Sequence, residues 1–151
     1  KQKNSGGRTS TKKASSSGKD NYNAIIGLTK DSINNLNEEI DKYVLNCYTS
    51  RQQILQSNIE KIVAKHIKDI SYTMKAKVED KTLTALIDEM LIKNSVKLCE
   101  GIHDDLIGTN IYSTQRGSVS DMMTIRINLF GDTITNYLNC KINATKFIEC
   151  S

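Results

Sequence analysis

Between Arg51 and Lys77, apolar side chains recur at Leu55, Ile59, Ile62, Val63, Ile67, Ile70 and Met74, with His66 on the same stripe. Steps of three and four place these residues on one face of an α-helix. Lys61, Lys65, Lys68, Asp69 and Lys75 fall on the other side. Such a stripe must be covered, so the helix has to pack on something. Ser50 with Gln53 fits a capping box and predicts a helix start there. The chain contains no proline in 151 residues, which suits long uninterrupted helices. It has no tryptophan and only two phenylalanines, so its core must come from Ile, Leu, Val and Met.

The flanking stretches extend the helical pattern. A first helix is expected from Asp20 to about Tyr48, with Ile26, Ile33, Leu36, Ile40, Tyr43 and Cys47 on a 3-4 heptad whose gap is filled by Thr29. This seam admits two uses, packing within one bundle or self-association, and Ile33, Leu36, Ile40 and Tyr43 are the residues expected at a protein interface. A third helix is expected from Lys81 to about Ile107, with Asp80 as N-cap. Its stripe is Leu83, Leu86, Ile87, Met90, Leu91, Leu98, Cys99, Ile102 and Leu106, interrupted at Asn94-Ser95, with Gly101 a possible kink. Gly108-Thr109-Asn110 reads as a stop and 110–118 as a surface loop.

Beyond it, two periods compete. Met123 to Phe130 alternates apolar and polar residues, Gly131-Asp132 follows, and Thr133 to Cys140 is again rich in β-formers. That arrangement signals a hairpin. Val119, Met122, Met123, Ile127, Phe130, Ile134, Tyr137 and Leu138 fit a helix as well. The Thr, Ile, Tyr and Phe content favours the hairpin. The expected fold is therefore mainly α, a three-helix antiparallel bundle with a C-terminal β-hairpin over residues 20–151. A four-helix bundle is the alternative.

Charge is unevenly spread. Lys1, Lys3, Arg8, Lys12, Lys13 and Lys19 give residues 1–19 a charge of +6 with no acid, so the net +4 leaves the rest at −2, the difference between the two. This Ser-, Gly- and Lys-rich leader holds one Ala as its sole apolar residue and is expected to be a disordered basic arm. Its cations suit phosphate neutralisation, which is salt-dependent. No apolar run approaches the roughly 20 residues of a membrane span.

Cys47, Cys99, Cys140 and Cys150 lack metal-ligand spacing, and no cofactor or metal is expected. Scattered cysteines favour a reducing, intracellular setting. A Cys140–Cys150 loop enclosing the glycosylation pattern Asn143-Ala144-Thr145 is the extracellular alternative.

His66, the pair His103-Asp104, and Asp121 and Asp132 downstream form a pattern that resembles the metal-dependent HD phosphohydrolases, whose His and Asp ligands hold metal ions that activate water. The pair is followed here by Asp105-Leu106-Ile107, a departure from that family. The segment Ile142-Asn143-Ala144-Thr145-Lys146 resembles the opening of KilA-N DNA-binding domains, whose remaining elements have no counterpart in the chain, and no residue role follows from it.

No phosphate loop or nucleophile elbow occurs. The function expected is non-catalytic: a helical interaction module, joining protein partners and first of all copies of itself. The alternatives are a nucleic-acid-packaging structural protein, viral for example, using the basic arm; an extracellular disulfide-containing domain; and the HD-like phosphohydrolase.

Overall fold

A computed structural model describes residues 13–142, with side chains described for 24–140. Four helices make up the fold: α1 (Lys13–Ser50), α2 (Gln56–Lys77), α3 (Lys81–Ile107) and α4 (Arg116–Ile142). Each packs on its sequence neighbours, and α4 returns to α1, so the ring closes while the diagonal pairs stay apart. Side-chain partners descend on one helix as they ascend on the next: Asp41 with Ser120 and Asn37 with Thr124 between α1 and α4, Tyr43 with Asn58 and Glu39 with Lys65 between α1 and α2. All neighbours are thus antiparallel, as short connections demand.

The core is a run of Ile, Leu, Val and Met with one Phe. On α1 the buried row is Ile25, Thr29, Ile33, Leu36, Ile40, Val44 and Cys47. The step pattern is four, four, three, an eleven-residue repeat. On α4 the same pattern runs through Val119, Met123, Ile127, Phe130, Ile134 and Leu138. Eleven residues in three turns is about 3.67 per turn, nearer the ideal helix than a heptad, so the stripe stays inward with little supercoiling. The heptad expected on α1 is corrected accordingly: Ile25 and Val44 are buried, while Ile26 and Tyr43 lie at the edge of the core. Thr29 fits the apolar row because its hydroxyl donates to the Ile25 carbonyl at 2.8 Å.

The expected C-terminal hairpin is not there. Residues 116–142 form one helix, and no strand occurs among the described residues. Burial against α1 selects the helical period over the alternating one. Thr133 and Thr135, which suggested strand, donate their hydroxyls to the carbonyls of Leu129 and Gly131 within the helix. Gly131 is a contact point, not a turn: a Cβ there would stand 3.0 Å from Ile33 Cγ2. The architecture is the four-helix bundle, and the three-helix-plus-hairpin expectation is overturned.

Two helix starts differ in mechanism. α3 occupies the expected span, with Asp80 accepting from the backbone amides of Thr82 and Leu83. The capping box expected at Ser50 does not form. Ser50 closes α1, its hydroxyl donating to the Asn46 carbonyl, and α2 begins six residues later at Gln56, behind Leu55, which offers no side-chain cap. The Tyr43 hydroxyl substitutes, accepting from Leu55 N at 2.9 Å and Asn58 Nδ2 at 3.1 Å. A neighbouring helix therefore supplies the cap that the local sequence lacks.

The α1–α2 turn and the 108–115 connection meet at one end of the bundle. Gln52 N donates to Cys47 O at 2.8 Å across Arg51, whose φ is 58°, a Schellman-type ending made without glycine. Arg51 is held in this left-handed conformation by Tyr112, whose ring lies 4.8 Å under the guanidinium and whose hydroxyl donates to the Arg51 carbonyl. Tyr48 donates to Thr114 O at 2.7 Å, and Ile111 is buried beneath the connection.

Candidate interaction groove

The interface residues expected on α1 face inward. Ile33, Leu36 and Ile40 are buried in the chain's own core, and Tyr43 serves α2 as its cap. Of the arm, Lys1, Lys3, Arg8 and Lys12 lie outside the described residues; Lys13 and Lys19 fall within the α1 backbone.

The phosphohydrolase pattern is scattered. His66 is buried between α1 and α2, its Nε2 donating to Glu39 at 2.8 Å. His103 and Asp104 lie on the outer side of α3, and Asp121 and Asp132 are exposed on α4. No group of three His, Cys, Asp or Glu among the described residues could hold a metal ion. The bonds from His66 and Lys65 hold the Glu39 carboxyl below the usual range.

Cys47 and Cys99 are free thiols, Cys140 is disulfide-bonded, and its expected partner Cys150 lies outside the described residues.

The surface with most to offer is a groove along the outer side of α2 and α3. It comprises two stretches, of about 720 and 520 Å³, that share Ala64 and Ser95. Its origin is the break at Asn94-Ser95. Leu91 and Leu98 are buried on α3, but between them Asn94 turns its amide onto the Met90 carbonyl and Ser95 its hydroxyl onto Ile92. Small residues on both helices leave the channel unfilled.

Apolar groups stand along it uncovered: Ile92 is 60% exposed, Val96 51% and Tyr72 77%. Ile92, Val96, Cys99 and His103 form a second stripe on α3, at steps of four, three and four. Part of that stripe was readable in the sequence, since Ile92 and Val96, like Ile107, are apolar residues left off the core row.

The two ends differ in charge. One carries Glu60, Glu100 and Asp104 beside His103. The other carries Lys68 and Lys75, with Asp88 paired to Lys75 at 2.7 Å. Burial works against the Asp88 carboxylate, but the bonds from Lys75 and Ser71 more than offset it and keep its pKa low. Burial, with Glu60 nearby, pushes the Cys99 thiol up to about 11, so it is a packing residue and a poor nucleophile at neutral pH.

The fold defines an up-and-down four-helix bundle with an open groove on the outer side of α2 and α3. Comparison with family models, curated proteins and solved structures finds nothing that matches the chain. No helix among the described residues is long and apolar enough to cross a membrane.

Proposed function

We propose that this chain is a non-catalytic helical assembly module that binds a second copy of itself through the α2–α3 groove. The observation that carries the reading is the row Ile92–Val96, exposed along a channel whose ends have opposite charge. Exposed apolar rows framed by polar groups mark association surfaces, and a surface with both charges at opposite ends is complementary to its own copy. The groove thus takes over the role first assigned to the α1 seam, which the bundle uses internally.

Sedimentation velocity over a range of concentrations tests it. A mass that rises from one to two chains supports the proposal, and Val96→Asp then returns it to a monomer with unchanged helicity. A single-chain mass at every concentration overturns it.

A second reading, nucleic-acid packaging, is supported by the +6 charge of residues 1–19. Removing residues 1–12 leaves α1 intact, so loss of salt-dependent duplex binding on removal would favour it.

A further inference from the structure

We infer that the two copies pair about a two-fold axis running across the helices near Ala64 and Ser95, with Lys68 of each copy set against Glu60 of the other. The inference rests on the self-association reading and adds the register. Ala64 and Ser95 line both stretches of the groove and mark its middle with small side chains, where close approach is easiest.

A two-fold axis in the contact plane can run along the helices or across them. An axis along the helices superposes the end bearing Glu60, Glu100 and Asp104 on its own copy, and like charges then face each other. An axis across the helices brings each acidic end over the end that carries Lys68 and Lys75. Charge selects the second arrangement.

The spacing agrees. Glu60 and Lys68 lie four residues either side of Ala64, about 6 Å along the helix in each direction. A half-turn at Ala64 therefore exchanges their positions. On α3, Ile92 and Cys99 flank Ser95 by three and four residues, so the same rotation lays the exposed Ile92 over the Cys99 side of the other copy. Asp88 and His103, seven and eight residues from Ser95, exchange likewise.

Both charged groups are available. Lys68 has no ion-pair partner among the described residues, whereas Lys65 and Lys75 are taken by Glu39 and Asp88. The Glu60 carboxylate accepts one hydrogen bond, from Gln56 Nε2 at 3.3 Å.

The test is a charge exchange in the full chain, read as the dimer dissociation constant by sedimentation equilibrium. Both residues are exposed, so Glu60→Lys and Lys68→Glu leave the bundle folded, which circular dichroism checks. Each single variant is expected to weaken the dimer about tenfold or more, since the rotation repeats the contact twice. The double variant is expected to recover within about threefold of the parent, because the pair is rebuilt with its signs reversed. A parent dimer that the single changes leave untouched, or that the double change fails to restore, overturns this register and leaves self-association standing. A parent that stays monomeric at about 0.1 mM overturns both.

Discussion

The α1–α4 seam and the α2–α3 seam each join two antiparallel helices of the same bundle, yet one is closed and the other open. Along α1–α4 the eleven-residue row continues on both helices, and Gly131 lets Ile33 come into contact with the α4 backbone. Its margin is closed by short polar bonds, Ser120 to Asp41 at 2.6 Å and Thr124 to Asn37 at 3.2 Å. Along α2–α3 the α3 row lapses between Leu91 and Leu98, and the space is left as a groove edged by Tyr72, Ile92 and Val96. A bundle is sealed where two rows stay in step and one side chain is absent at the contact. It stays open where a row lapses.

The closed seam is the more costly of the two to disturb. Leu36→Ala removes a fully buried side chain and should destabilise the fold by about 2–5 kcal/mol, seen as a lower urea midpoint. Ile92→Ala in the groove should stay within about 0.5 kcal/mol by the same measurement while weakening self-association. Equal losses at both positions would contradict the contrast.

Gly131→Leu should cost about 1–3 kcal/mol, because the new side chain enters space held by Ile33. Pairing it with Ile33→Ala should recover part of that loss, and absence of any recovery would show that the contact is not what limits the site.

A smaller effect is expected where one helix caps another. Tyr43→Phe removes the acceptor for Leu55 N and Asn58 Nδ2 and should cost about 0.5–1.5 kcal/mol, with faster amide exchange confined to the start of α2.

The smallest expected effect is electrostatic. At the α3–α4 seam, Arg126 binds Asp105 through two bonds of 2.8 and 3.0 Å, and these hold the Asp105 carboxyl below its ordinary 3.8. A carboxyl depressed in the folded state stabilises it above the unfolded pKa, and that contribution disappears as pH falls through the folded value. Melting temperature should therefore drop as pH is lowered below about 4, and Asp105→Asn should flatten the drop. The bond also explains Gly101, which lies inside α3 without ending it: a Cβ there would stand 2.5 Å from Arg126 Nη1, so the glycine makes room for the guanidinium.

Much of the bundle was legible locally. The α2 stripe from Ile59 to Met74, the Asp80 cap and the end of α3 at Ile107 all follow from periodicity and capping chemistry. The groove was half legible: Asn94-Ser95 marked the lapse, but two residues, Ile92 and Val96, are too short a row to stand out beside the core stripe. Less could be read where local signals tie. From Met123 to Cys140, periods of 2 and 3.6 both fit, and Thr, Ile and Tyr lean towards strand.

The sequence by itself determined that the chain would be mainly helical, where α3 begins and ends, and which residues carry the α2 and α3 stripes, because those depend on neighbours within a turn or two. Tertiary structure decided that 116–142 is a helix, that Ile33, Leu36 and Ile40 face their own bundle, and that Tyr43 caps α2. Each of those outcomes depends on surface supplied by another helix, and burial against that surface outweighs the small local preference that pointed elsewhere.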